Sequence, residues 1–141
     1  MATTDKIERV STGIPGLDKL IEGGIPKGHT VLVTGGAGTG KTIFGIQFCD
    51  ASLKKGKRCT LVTLGQEPPA IEEQAKQFEK LKETKNLDIV SAKNIKFEFG
   101  KGPKALEYSQ KISLIKDRVL KTKPEVVVID PISALNIEAG A

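Results

Sequence analysis

The stretch Gly35-Gly36-Ala37-Gly38-Thr39-Gly40-Lys41-Thr42 decides how the rest of the chain is read. It follows the apolar run Thr30-Val31-Leu32-Val33-Thr34 and leads into a helix-like run over residues 43–53. It fits the phosphate-loop pattern of glycine, four residues, glycine, lysine, then serine or threonine, in the strand-to-helix context that pattern requires. A triphosphate is held by backbone N–H groups aimed inward, and a chain curled so tightly needs residues free to take positive φ. A helix starting at or near Lys41 adds its unpaired N–H groups and the positive end of its dipole. Lys41 then carries a mobile positive charge to the phosphates, and the Thr42 hydroxyl is placed to ligate Mg2+. The competing reading, a glycine-rich turn that happens to precede a lysine, does not account for the flanking strand and helix patterns.

Upstream, residues 1–12 are polar and expected to be loosely attached. Gly13-Ile14-Pro15-Gly16 reads as a turn, followed by a short helix over 17–22 that Gly23-Gly24 stops. A second turn, Ile25-Pro26-Lys27-Gly28, opens a strand over 29–34, apolar on both faces like a parallel strand covered by helices. Downstream, Phe44, Phe48 and Ala51 repeat at i, i+4, i+7, with Ile43 and Ile46 widening the stripe, up to Lys54-Lys55-Gly56. Residues 59–64 read as a second strand, and Pro68-Pro69 opens a helix with Ile71, Ala75, Phe78 and Leu81 facing inward. Residues 83–104 are the least legible, with strand patterns at 87–90 and 95–99. A long helix over 105–121 places Tyr108, Ile112, Ile115 and Val119 on one face. Pro124 ends it, and a strand over 125–130 is expected to be fully buried. Strands alternating with helices predict an α/β fold, a three-layer parallel sheet with helices on both faces.

Asp130 closes four consecutive apolar residues. That is the setting of an acid that holds the Mg2+ of a bound triphosphate. The alternative is an acid that caps a strand before an Asp-Pro turn. A phosphate loop upstream favours the metal role, since both features stand at carboxyl ends of parallel strands, where ligands bind.

Ser11-Thr12-Gly13-Ile14-Pro15-Gly16-Leu17-Asp18, then Gly23-Gly24-Ile25-Pro26-Lys27-Gly28, then residues 35–42, resemble in order the opening of the KaiC-type branch of the RecA-like ATPases. Residues 126–135 resemble that family's metal-site strand. The resemblance implies ATP and Mg2+ as ligands, with Thr42 and Asp130 at the metal. It also implies a ring or filament of like subunits when the protein is full length. The family usually places two adjacent glutamates at the end of the second strand, one of them activating water. Here those positions read Gly65-Gln66, and Glu67 follows one or two places late. Gln66 can orient water but is no base, Glu67 can do both, and Glu67 can equally serve the N-terminus of the next helix. The expected function is an ATP-dependent switch or assembly subunit with slow hydrolysis. The alternatives are an ATP-binding regulatory subunit without turnover and a recombination or repair paralogue that binds DNA.

The resemblance also implies a nucleotide-binding domain over 13–141 that stops early. The strand between the phosphate-loop strand and the metal-site strand comes later in such chains. Val31, Val33, Val126 and Val128 are therefore expected to flank an unfilled slot.

With 141 residues the chain has the length of one domain, and no apolar run approaches a membrane span or a signal-peptide core. A cytoplasmic protein is expected. Cys49 and Cys59 lack metal-ligand spacing and read as buried free thiols in a reducing compartment. The net charge of +5 comes from scattered lysines, which suit a solvated surface better than a nucleic-acid footprint.

Overall fold

The computed structural model describes residues 6–65, 68–78, 85–91 and 108–132. In chain order they form β1 (Arg9–Val10), α1 (Leu17–Leu20), β2 (Ile25–Pro26), α2 (Lys41–Lys54), β3 (Cys59–Thr63), α3 (Pro68–Ala75), β4 (Leu87–Ser91), α4 (Tyr108–Thr122) and β5 (Val126–Asp130). The fold is α/β. Its main sheet has the order β4-β3-β5, with both pairings parallel. Cys59 lies opposite Leu87 and Val126, and Thr63 opposite Ser91 and Asp130, so the three carboxyl ends are level.

β3 is buried along its whole length because it has a neighbour on each edge and helices over each face. Side chains alternate across a strand. Cys59 and Leu61 join Cys49 and Leu53 of α2, Ile71 of α3 and Val126 of β5 in one apolar cluster. Val62 joins Val90 of β4 and Leu114 and Ile115 of α4 in another. The chain passes outward from β3 to β4, then back across β3 to β5. Right-handed crossovers in opposite directions put their helices on opposite faces, which is where α3 and α4 lie. Burial of each such aliphatic side chain stabilises by about 1.5–3 kcal/mol, whereas an exposed pair such as Lys27–Glu8 contributes about 0–1. The two clusters hold the fold.

Several sequence expectations change. Residues 29–34 are not a strand; they run without regular structure, with Val31 51%, Leu32 70% and Val33 40% exposed. An extended segment becomes a strand by pairing its backbone groups, and among the described residues no neighbour pairs with this one. Val127 is 41% exposed, so β5 is not fully buried. The side chains of Val126 and Val128 pack into the cluster under α2, while the outer edge of β5 is unpaired among the described residues, as expected. On α2 the deeply buried positions are Ile46, Cys49 and Leu53, while Phe44, Phe48 and Ala51 are half-buried. On α4 the buried pair is Leu114 and Ile115, and Ile112 faces solvent. Both stripes hold in part, with Ile46 and Ile115 buried and Phe48 and Val119 packed against the core. Each shifts to take in Cys49 and Leu53 or Leu114, because a helix turns toward the sheet that is actually present. Residues 95–99 lie outside the described residues.

Cys49 and Cys59 are joined by a disulfide, with Cα atoms 6.1 Å apart, and are not the free thiols expected. The turn at residues 55–58 folds β3 back beneath α2 and brings the pair together. A short covalent loop of this kind adds about 2–4 kcal/mol.

Residues 9–12 are anchored rather than loosely attached. β1 pairs antiparallel with β2, and the Asp18 carboxylate gathers the turn between them. Ser11 Oγ donates to Asp18 Oδ2 at 2.6 Å, and both the amide and the hydroxyl of the buried Thr12 donate to Oδ1, at 3.0 and 2.6 Å. This fold of the lead-in lays Gly13 (φ 69°) on α2, where a Cβ would overlap the Ala51 side chain. Hydrogen bonds from Ser11 and then Thr12 hold the Asp18 carboxyl below its usual range, against a smaller opposing effect of burial. A depressed carboxyl contributes stability above its unfolded value, near pH 4, and that contribution is lost as pH falls through the lower folded value. Asp18→Asn is therefore expected to lower stability at pH 7 by about 1–3 kcal/mol. The deficit should shrink as pH falls below the ordinary carboxyl range and Asp18 itself becomes protonated; urea midpoints followed from neutral to acid pH check it.

Candidate functional site

The phosphate-loop stretch forms an exposed turn that closes into α2. Gly38 (φ 73°) and Gly40 (φ 91°) adopt left-handed backbone, and Gly40 is the residue that precedes the helix. Substituting a residue with a Cβ at either position would be strained. Thr39 Oγ1 donates to Gly36 O at 2.7 Å and ties the turn across its width. The Lys41 ammonium folds back over the loop, donating to Gly35 O at 2.7 Å and Gly36 O at 2.5 Å. Its charge therefore sits over the exposed loop. Because α2 begins at Lys41, its first N–H groups and its dipole face the same place.

Thr42 and Asp130 meet. The Thr42 hydroxyl donates to Asp130 Oδ2 at 2.7 Å, across 88 residues of sequence. The register of β5 on β3 sets Asp130 at the carboxyl edge, and Leu64 N donates to Asp130 O at 2.9 Å, extending that pairing by one residue. α2 reaches this edge because Gly45 lets it lie close on β5: a Cβ at Gly45 would stand 2.8 Å from Val128 Cγ1. Gly45 was not singled out from the sequence. Its signal is a glycine one turn into a helix that has no local need for it.

A hydroxyl beside a carboxylate is an oxygen donor pair of the kind that Mg2+ accepts, with the rest of its octahedron left to water and phosphate. Among the described residues no group of three or more His, Cys, Asp or Glu could cage a metal alone. The donors present thus fit a metal held jointly with a phosphate ligand, at Thr42 and Asp130.

Gln66 and Glu67 lie outside the described residues. Gly65, just before them, is exposed and packs at the turn after Asp130: a Cβ there would stand 2.9 Å from Pro131 Cδ. Gly35, Gly36, Ala37, Gly38, Thr39, Gly40, Lys41, Thr42 and Asp130 are thus brought to one edge. Among the described residues no helix is long and apolar enough to cross a membrane.

Residues 10–141 match the family described as "ATPase: KaiC". A UPF0273 protein of Methanopyrus kandleri is 37% identical over 147 residues, covering 94% of this chain and 56% of its own. A UPF0273 protein of Thermotoga maritima is 34% identical over 153 residues, covering 96% and 60%. The crystal structure of a KaiC-like protein from Pyrococcus horikoshii OT3 superposes with a TM-score of 0.76 at 31% identity, over 94% of this chain and 57% of that one. The chain therefore spans a little over half the length of these relatives.

The close approach at Gly45 yields an expectation. Gly45→Leu should destabilise the fold by about 1–3 kcal/mol, even though leucine is the better helix former, because the side chain must push α2 off β5. A urea titration of both proteins, with unchanged far-ultraviolet dichroism as a control, measures it.

Proposed function

This chain belongs to the KaiC ATPase family, and from that premise we propose that it binds Mg·ATP and forms part of an ATP-dependent switch or assembly subunit with slow hydrolysis. The observation that carries the reading is the 2.7 Å hydrogen bond from Thr42 to Asp130. It joins the start of the phosphate-loop helix to the carboxyl end of β5, the two places whose oxygens a nucleotide-bound metal requires.

In this reading the loop N–H groups and the start of α2 receive the phosphates, and Gly38 and Gly40 let the backbone approach them. Lys41 exchanges the carbonyls of Gly35 and Gly36 for phosphate oxygens, a stronger charge-assisted contact. Thr42 and Asp130 hold the metal, which when bound neutralises charge on the phosphates. Gln66 orients the attacking water through its amide, and Glu67 both orients it and accepts its proton. The exposed run at Val31, Leu32 and Val33 and the open side of β5 are the surfaces that assembly into a ring or filament would use.

A second reading, a regulatory subunit that holds ATP without turning it over, is favoured by one observation. The residue where the family usually carries a glutamate is Gly65, which packs at Pro131 with no room for a side chain unless the proline ring shifts.

Lys41→Ala should weaken ATP binding about tenfold to a hundredfold, the loss of one charge-assisted contact of roughly 1.5–3 kcal/mol, while the fold survives. Titration calorimetry that finds equal affinity for the two proteins would remove the loop as the site. In the longer protein, Glu67→Gln should abolish most of a slow phosphate release, by about a hundredfold or more. Fast release that is indifferent to this change would mean that the base lies elsewhere, and no release in either protein would select the regulatory reading.

A further inference from the structure

The Cys49–Cys59 bond joins the two elements whose relative position sets the phosphate site. Cys49 is on α2 and Cys59 opens β3, with Cα atoms 6.1 Å apart, inside the usual span of a disulfide. Both residues are sealed from solvent, at 0% and 1% exposure, among Leu53, Leu61, Ile71 and Val126. The chain has no other cysteine. α2 is thus fastened to the sheet at two points, by the hydrogen bond from Thr42 to Asp130 near its start and by the disulfide about two turns further on. β3 carries both fastenings, because β5 is paired to it in register with Thr63 opposite Asp130.

We propose that Cys49–Cys59 is a redox-active site coupled to the nucleotide site through α2. The inference rests on the Mg·ATP reading above. A dithiol can reach sulfurs this deeply buried only when α2 lifts from β3. A ligand that bridges the start of α2 and Asp130 opposes that lifting. Bound nucleotide therefore shields the disulfide from reduction. Because the disulfide already holds α2 on β3, and β3 fixes β5, the disulfide form binds nucleotide more tightly than the dithiol form. By reciprocity, bound nucleotide shifts the redox equilibrium toward the disulfide by the same factor. The reductant class is a dithiol. Its thiolate attacks one cysteine sulfur, the S–S bond breaks, and the other cysteine leaves as a thiolate that takes a proton. The reagent's second thiolate then attacks the reagent sulfur of the mixed disulfide, closing a cyclic disulfide and expelling the first cysteine as a thiolate that takes a proton. Two electrons thus pass to the protein and both cysteines end as thiols.

The test uses the 141-residue chain with dithiothreitol as the dithiol. ATP affinity of the oxidised protein is measured first by calorimetry, then again after reduction. Reduction is timed by maleimide capture and intact mass, without nucleotide, with saturating Mg·ATP, and in Lys41→Ala. The expected results are reduction slowed about fivefold or more by Mg·ATP in the wild type and not in Lys41→Ala, and, as a separate equilibrium readout, affinity lower by about fivefold or more after reduction. Demonstrated ATP binding with identical reduction rates or identical affinities in the two redox forms overturns the coupling alone. No ATP binding by the oxidised protein overturns the nucleotide reading and the coupling with it. Two cysteines that alkylate in denaturant without prior reduction, even after treatment with oxidised glutathione, overturn the redox site itself.

Discussion

How closely α2 can lie on β5 is the constraint on which the rest of the structure depends. The helix must cross the strand near enough for the Thr42 hydroxyl to reach Asp130, and a side chain at position 45 would hold it away. Glycine in a helix interior costs about 0.5–1 kcal/mol relative to alanine. The close approach repays that by fixing a hydroxyl and a carboxylate from distant parts of the chain at 2.7 Å. From this one contact follow the position of the loop, which ends where α2 begins, and the aim of the helix dipole.

The placement is enforced by packing and not by surface charge. Cys49 and Leu53 on α2 pack with Leu61 and Val126, Ile46 is buried as well, and the disulfide adds a covalent tie in the same layer. On the far face, Arg118 holds Asp88 through two hydrogen bonds of 2.8 and 2.7 Å and links α4 to β4. That pair orients a helix already seated by Leu114 and Ile115. The lead-in braces α2 from outside, since Asp18 shapes the turn that sets Gly13 against Ala51. Three independent contacts therefore converge on one helix, the one that bears Lys41 and Thr42.

The turn at 35–42 and the helix start at Lys41 were legible residue by residue because their geometry is local. Backbone N–H groups, positive φ and a helix start all lie within eight consecutive residues. Asp130 was legible because an acid after four apolar residues marks the end of a strand, and the shared carboxyl edge follows from parallel topology. β4 was one of two strand patterns in an ambiguous stretch. Gly45 escaped notice because nothing in its own helix demands a glycine; the demand comes from Val128, 83 positions away in the chain. The Cys49–Cys59 bond escaped for the same reason. A spacing of ten residues says nothing about pairing until the turn between them is folded.

By itself the sequence determined the α/β class, the order of most elements, the loop at 35–42 and its partner acid. These rest on periodicity, turn chemistry and short-range motif geometry, which are properties of neighbouring residues. The tertiary structure alone decided which apolar positions are core. Val31, Leu32 and Val33 have the composition of a buried strand yet stand exposed, because a strand is made by its partner as much as by its own side chains. The same holds for the helices. The rotation of α2 toward Ile46, Cys49 and Leu53, and of α4 toward Leu114 and Ile115, is set by the sheet beneath them, since an amphipathic stripe is buried only where another surface comes to meet it.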